Sequence, residues 1–558
     1  MSILKKSFPL ILLLALIGCE KKENVENKKP NIIFILADDF GIMDSQAYAS
    51  KFTNTPTREM YYETPNIDKL VNEGVAFSQA YANQLCSPTR ASLITGKYAS
   101  KIGVTTAMPP RKTYYNQKTT PPTDYYIHDV YEHKDNIKIE QALVNGISNS
   151  ALATGTALDN GENEYSIAEA LTGYHAAFIG KWHLGGFGAK NYQPSDHGFQ
   201  TLAWYDGGGS PYFNWGKHWN KNTPERFTLL SSDEFDIGDS GKQTAEKYLT
   251  DDLTQQALNY ISEQAKNKEK PFFLYFSHFA IHTPYQGKEE EVKYFSNKKT
   301  KGWNNHKDPV YASMIKSLDR SVGAILNKLE DLDLDENTLI VFMSDNGGID
   351  SKITPDGKGS DNYPFLGGKA CLTEGGIRVP LVFRWKGKIA PNKWLKTPVD
   401  CTDIYPTLAD FGGEDSKKLI TQLNLDGQSL KGLINDIDNS EKSYTKDTHF
   451  WHYPFNVIYN NPLEKLPLTP HSAIRKGDYK LIFDWYGRFH LYNIEKDPFE
   501  KENLVAKNTE LTQELFEELM QWLKKNVAKR YWPKLNTSYD KSKESRNSPF
   551  KDYFTQYD

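Results

Sequence analysis

Cysteine is scarce, with only four residues, Cys19, Cys86, Cys371 and Cys401, in a chain of 558. So few thiols cannot staple a chain of this length, and the fold must rest on a hydrophobic core large enough for more than one packed unit. Net charge is nearly absent as well: 67 basic side chains stand against 71 acidic ones, a formal charge of -4. That balance gives no global reason to expect a nucleic-acid partner, so any grip on an acidic ligand has to be local. Internal repeats are absent. Aromatic residues, by contrast, are plentiful at 13%, with 33 tyrosines and 11 tryptophans, enough to fill a large core and still supply sugar-stacking surfaces.

Lys5 and Lys6 precede a short apolar run, Phe8 to Ile17, that is too brief to cross a bilayer comfortably. It ends in Leu16-Ile17-Gly18-Cys19, which resembles a bacterial lipobox. The resemblance implies a signal peptide over 1–18, acylation of Cys19, and residence outside the cytoplasm as a membrane-anchored lipoprotein of the periplasm or outer-membrane surface. The charged stretch 19–29 reads as a tether.

From Asn31 the run Asn-Ile-Ile-Phe-Ile-Leu-Ala has the continuous apolar, β-branched character of a strand covered on both faces. It ends in Asp38-Asp39, where open α/β sheets place their ligands, and nothing helical is expected at once behind it. Further buried strands are expected at His175 to Gly180, Pro271 to Ser277 and Thr338 to Met343, with helices at Leu249 to Gln264 and Tyr311 to Leu332. Each of these strands ends on chemistry: Lys181 and His183, His278 and His282, Asp345 and Asn346. The pattern predicts a large doubly wound α/β domain over 30–440. An antiparallel pair, Ala473 to Trp485 and Arg488 to Ile494, with an amphipathic helix at Asn508 to Lys525, predicts a smaller C-terminal α+β subdomain over 441–533, followed by a polar tail, 534–558.

Within Cys86-Ser87-Pro88-Thr89-Arg90, Ser87 suits an N-cap and Pro88 the first helical position, with Gly96 closing the helix. Cys86 is thereby placed at a helix N-terminus, which welcomes a dianion and would acidify a thiol. Asp38, Asp39, Asp345 and Asn346 offer oxygen donors alone, as Ca2+ or Mg2+ requires and zinc does not. His278 and His282 have the spacing of a helical zinc pair, but the preceding strand and Pro284 argue against one. Cys371 and Cys401 could be joined, though free buried thiols are the expectation. Asp403 reads as a helix cap.

The C-x-P-x-R spacing at Cys86 to Arg90 resembles the type I sulfatases of the alkaline phosphatase superfamily, and so do other segments, in the family's order. They are Ala37-Asp38-Asp39, Gly180-Lys181-Trp182-His183, His282-Thr283-Pro284, Ser344-Asp345-Asn346-Gly347, and Gly368-Lys369 followed by Glu374-Gly375-Gly376-Ile377-Arg378-Val379-Pro380. The resemblance implies that Cys86 is oxidised to formylglycine by a maturating enzyme and that Ca2+, with Mg2+ second, is held by Asp38, Asp39, Asp345, Asn346 and the converted Cys86. It implies that Arg90 offsets charge at the nucleophile, Lys181 and Lys369 clamp sulfate oxygens, His183 acts as base and His282 as acid.

Thr89, and Ala370-Cys371-Leu372 after Lys369, depart from the family's usual residues. Export and aromatic-rich inserts suggest a sulfated oligosaccharide or polysaccharide substrate, such as ulvan, carrageenan or fucoidan. Arg111, Lys112, Trp215, His218 and His471 are the candidate sugar contacts. The alternatives are a phosphate or phosphonate monoester hydrolase and an inactive glycan-binding lipoprotein.

Overall fold

The computed structural model describes residues 29–107, 148–149, 164–184, 193–205, 208–213, 215, 248–267, 269–300, 302, 306–352, 359–437, 443–454, 457–460, 462–463, 467–468, 470–485 and 487–535. The apolar run 8–17 and the expected tether up to residue 28 lie outside these.

Nine strands form one mixed sheet: β1 (Asn31–Ala37), β2 (Val75–Tyr81), β3 (His175–Lys181), β4 (Thr201–Tyr205), β5 (Phe272–Ser277), β6 (Thr338–Ser344), β7 (Arg378–Arg384), β8 (Lys393–Leu395) and β9 (Val399–Asp400). Their order is β9-β2-β7-β6-β1-β5-β3-β4, with β8 also on β2. All pairings are parallel except those of β7, which runs against both β2 and β6. The start of β7 therefore lies at the same edge as the carboxyl ends of the other strands.

Alternation along β1 explains the layers. Ile32, Phe34 and Leu36 enter one core, and Ile33, Ile35 and Ala37 the other. The first core is covered by α3 (Cys86–Thr95) and α6 (Ile404–Phe411), the second by α1 (Gln46–Thr53), α2 (Pro65–Glu73), α4 (Leu249–Gln264) and α5 (Pro309–Asp331). Helices on both faces of a largely parallel sheet make this the doubly wound α/β domain the strand pattern predicts.

A second sheet of four antiparallel strands follows: β10 (Thr448–Tyr453), β11 (His471–Lys476), β12 (Tyr479–Asp484) and β13 (Arg488–Asn493). Leu481, Phe483 and Leu491 on one face pack against Leu515, Phe516 and Leu519 of α7 (Thr509–Asn526). Ala473, Ile482 and Tyr492 on the other face meet Tyr81, Leu372 and Ile377 of the large domain. The single strand expected from Ala473 to Trp485 is instead a hairpin broken at Gly477-Asp478, where Gly477 takes φ +55, a left-handed value that suits glycine.

Two local expectations also change. The helix at Cys86 begins with Cys86 itself, its N-cap being Leu85; the Ser87 hydroxyl donates to the carbonyl of His183 at 2.9 Å instead of capping. Behind Asp39 a 3-10 turn, Ile42–Asp44, and α1 do follow closely. There Asp44, not Asp39, receives the Gly41 N–H at 2.8 Å, so the Asp38-Asp39 pair remains free of capping duty.

Candidate active site

The carboxyl edge of the sheet collects the site. β1 and β6 are parallel neighbours with Ala37 opposite Ser344, so Asp38-Asp39 and Asp345-Asn346 leave the sheet side by side. β3 delivers Lys181, and its neighbour β5 ends at Ser277. That close approach depends on Gly180, φ +103, where a Cβ would fall 1.8 Å from the Ser277 carbonyl oxygen. From α3, Cys86 and Arg90, four residues apart, share one helical face. Asp39, His183 and Ala370 take φ +58, +58 and +75, left-handed values that cost these non-glycine residues of order 1–3 kcal/mol each. Such strain is held only where surrounding contacts enforce it, and here it gathers around one site.

Those contacts are short and buried. Arg90 Nη2 and Nε lie 2.6 and 3.0 Å from Asp345 Oδ2, and Arg90 Nη1 donates to the Lys181 carbonyl at 2.9 Å. Lys181 Nζ is 2.6 Å from Asp38 Oδ2, and Lys369 Nζ is 2.7 Å from Asp39 Oδ1. Asn346 Nδ2 donates to Asp39 Oδ1 at 2.8 Å. His282 Nδ1 is 2.7 Å from the Thr283 carbonyl, which places a proton on Nδ1 and leaves Nε2, 3.8 Å from Asp39 Oδ2, facing the acids.

The electrostatics are those of a site short of positive charge at Asp38 and saturated with it at Asp39. Burial, then Asp345, raises the Asp38 carboxyl to about 8. Burial opposes ionisation at Asp39 too, but Lys369, His282 and Lys181 hold that carboxyl well below the usual range. His282 is lowered to about 3 by burial and Lys369. The Cys86 thiol is pushed up to about 12 by burial, against the pull of Lys181 and Lys369, so the acidified thiolate expected from its helix position does not arise. Helix-end stabilisation is smaller than the cost of burying the charge.

The residues fit a divalent cation. One oxygen each of Asp38 and Asn346, Oδ1 in both, is buried without a hydrogen-bond partner, an arrangement that is costly unless something positive is bound. Donor atoms of Asp38, Asp39, Cys86 and His282 lie within 4.8 Å of one another. Carboxylate and amide oxygens suit a divalent cation, while Cys86 and His282 bring a sulfur and a nitrogen donor to the same cluster, so the donor set is not oxygen alone as the spacing predicts. His278 is not part of the cluster; its Nε2 sits 3.3 Å from Ser321 Oγ among apolar neighbours. Among the described residues Cys371 and Cys401 are free and buried, as expected. Asp403 accepts from the Asp400 and Gln428 N–H groups and from Lys446.

Of the expected sugar contacts, Trp215 and His471 are both only 5% exposed, Trp215 in the core beside α4 and His471 edge-on to Tyr453. Large amphipathic rings fill gaps in the interior more often than they line an open surface. Arg111, Lys112, His218 and Cys19 lie outside the described residues. One group was missed from the sequence. Lys480 Nζ holds Glu374 at 2.6 Å, Glu500 at 2.8 Å and the Leu372 carbonyl at 3.1 Å, all buried, and so ties the loop after Lys369 to the C-terminal sheet. A lysine inside the apolar run Leu481-Ile482-Phe483 and its neighbours was the available signal.

Buried cations and carboxylates converging with a helix-terminal cysteine on one sheet edge suit the binding of a tetrahedral oxyanion. The chain belongs to the sulfatase family, which matches residues 30–126 and 137–414, and it is a sulfuric ester hydrolase. A second family, N-sulphoglucosamine sulphohydrolase, C-terminal, matches residues 366–529. A sulfatase of Formosa agariphila is 29% identical, covering 93% of each chain, and mouse N-acetylgalactosamine-6-sulfatase is 31% identical over 73% of this chain and 67% of its own. The crystal structure of Ps i-CgsB in complex with k-i-k-neocarrahexaose superposes with a TM-score of 0.66 at 28% identity, covering 92% of this chain and 96% of that one.

Proposed function

We propose that the protein is a formylglycine- and Ca2+-dependent sulfatase that removes sulfate from a galactose-type unit of a sulfated oligosaccharide, carrageenan-derived fragments being the first candidates. The observation that carries the reading is the convergence of Cys86, Arg90, Lys181 and Lys369 on the buried Asp38, Asp39, Asp345 and Asn346. The galactose-type preference is supported by two relatives, one named for N-acetylgalactosamine 6-sulfate and one bound to a neocarrahexaose.

Cys86, buried and held as a thiol, is a poor attacking group, and its conversion to formylglycine would supply a hydrated aldehyde whose hydroxyl attacks sulfur. Bound Ca2+ would supply Lewis-acid stabilisation of the sulfuryl oxygens. The chain's own groups do the rest. Lys181 and Lys369, each on one of the two adjacent carboxylates, present ammonium groups where negative charge redistributes. Arg90 fixes Asp345 and adds a permanent charge beneath Cys86. His282, with Nδ1 tied to Thr283, presents Nε2 to the leaving oxygen; a sulfate ester beside it favours the protonated ring, which then donates. In the second half-reaction His183 would take the proton of the remaining hydroxyl, so that the C–O bond to sulfate breaks, sulfate leaves and the aldehyde is restored.

Sulfate release should be followed from defined carrageenan, fucoidan, ulvan and chondroitin oligosaccharides, beside paired aryl sulfate and aryl phosphate. Release from a carrageenan oligosaccharide, with aryl sulfate preferred to aryl phosphate, is expected; preference for phosphate would overturn the reaction, and release from other glycans alone would overturn the sugar. The lipoprotein assignment rests on residues 1–19, and incorporation of labelled palmitate that is lost in Cys19→Ala tests it.

A further inference from the structure

The glycine pair Gly208-Gly209 lies against both histidines. A Cβ built on Gly208 would lie 2.9 Å from His183 Nε2 and 3.0 Å from its Cε1. One built on Gly209 would lie 3.0 Å from His282 Nδ1, 3.1 Å from its Cε1 and 3.3 Å from the Thr283 carbonyl oxygen. Neither glycine needs a left-handed backbone, since Gly208 and Gly209 are not among those with positive φ. A Cβ at either position would therefore meet an imidazole ring and no strained backbone, and the facing ring would have to give by a few tenths of an ångström.

The stretch is fastened where it passes His282. Tyr212, fully buried, donates its hydroxyl to the Phe279 carbonyl at 2.6 Å and lies 3.0 Å from the His282 carbonyl. Its own N–H donates to Gln286 Oε1 at 2.8 Å, and its carbonyl receives the N–H of Leu249 at the start of α4. The strap is thereby anchored to the large domain's helical layer and to the backbone of the His282 loop at once. Its two glycines face one imidazole each.

We propose that residues 208–212 form a positioning strap in which Gly208 sets the place of the His183 ring and Gly209 that of the His282 ring, so that the two half-reactions are aligned by adjacent residues. The proposal rests on the roles given above to His183 and His282. A methyl group on Gly209 shifts His282 against the leaving oxygen; a methyl group on Gly208 shifts His183 and has no contact with His282. A displacement of about 1 Å costs up to about a hundredfold in rate, so a shift of a few tenths of an ångström should cost about three- to tenfold.

The test uses the mature full-length enzyme and aryl sulfates whose phenols span a range of acidity. The parameter kcat/KM reports events up to departure of the phenol, whereas kcat also includes regeneration of the enzyme. Gly209→Ala is expected to lower kcat/KM by about three- to tenfold, with the loss growing as the phenol becomes more basic. Gly208→Ala is expected to lower kcat by a similar factor while kcat/KM stays near wild type, independent of the phenol. Tyr212→Phe, which removes one hydrogen bond without adding bulk, should show a weaker form of the Gly209→Ala pattern. Wild-type behaviour in all three variants, or the same leaving-group dependence for Gly208→Ala and Gly209→Ala, would overturn the strap while leaving the sulfatase reading intact. A wild-type enzyme inactive on every aryl sulfate and glycan would overturn both.

Discussion

Arg90 grips Asp345 through two nitrogens on a single oxygen, Nη2 at 2.6 Å and Nε at 3.0 Å, with both side chains almost wholly shielded from water. Removing one partner of such a pair leaves a charge buried and uncompensated, at a cost of about 3–5 kcal/mol. Arg90→Ala should therefore lower the melting temperature and abolish aryl sulfate turnover. Arg90→Lys, which cannot make the forked contact, should recover stability in part and activity hardly at all. Thermal melts and steady-state assays on the two variants check this, and a fully active Arg90→Ala enzyme would refute it.

Cation binding should show in stability as well as rate. The unpartnered oxygens of Asp38 and Asn346 gain a partner only when an ion is bound, so adding Ca2+ to chelator-treated protein should raise the melting temperature and restore turnover together. Asn346→Ala should shift the Ca2+ concentration for both effects upward. Titration by calorimetry and by activity gives the comparison, and chelator-resistant activity would contradict the account.

Lys480 is remote in sequence from every catalytic position, yet it holds Glu374, Glu500 and the Leu372 carbonyl behind the Lys369 loop. In Lys480→Met two buried carboxylates lose their common cation, and a stability loss of about 3–5 kcal/mol is expected. Turnover should fall beyond what partial unfolding explains, because Lys369 loses its support. Denaturant melts run beside kcat measurements separate the two effects.

Acid should loosen the C-terminal sheet through a buried histidine. Burial lowers His452 from 6.5 to about 4, while its ring contacts Ser472 Oγ at 2.8 Å and the Tyr531 carbonyl at 3.0 Å. A depressed folded value means the stabilisation is present above the unfolded value of 6.5 and is lost as pH falls from there toward 4, on the order of 3 kcal/mol at most. His452→Gln should flatten that part of the curve of melting temperature against pH. An unchanged slope would remove His452 as the cause.

Much of this architecture is legible in the amino-acid order. The apolar run ending in Asp38-Asp39 reads as a buried strand with ligands at its tip because periodicity and burial are local properties. Leu249–Gln264 is recovered with its expected limits for the same reason. Local rules fail where a long-range partner decides. Ser87 is a good cap by type, but the His183 carbonyl draws its hydroxyl away. Cys86 heads a helix, yet its acidity follows burial that no spacing reveals. The hairpin that splits the stretch from Ala473 to Trp485 is marked by the two-residue turn pair Gly477-Asp478, a signal outweighed when the flanking apolar residues are read as one strand. Gly208 and Gly209 look like ordinary loop residues until two distant histidines are brought against them.

The account stands or falls on the atom at the head of α3. Mass analysis of the peptide containing residue 86, from protein produced with a formylglycine-generating enzyme, should be paired with sulfate release by the same preparation and by Cys86→Ala. The expected result is an aldehyde in place of the thiol, sulfate release that scales with its fraction, and none from Cys86→Ala. An intact thiol in a preparation that releases sulfate at full rate would contradict it.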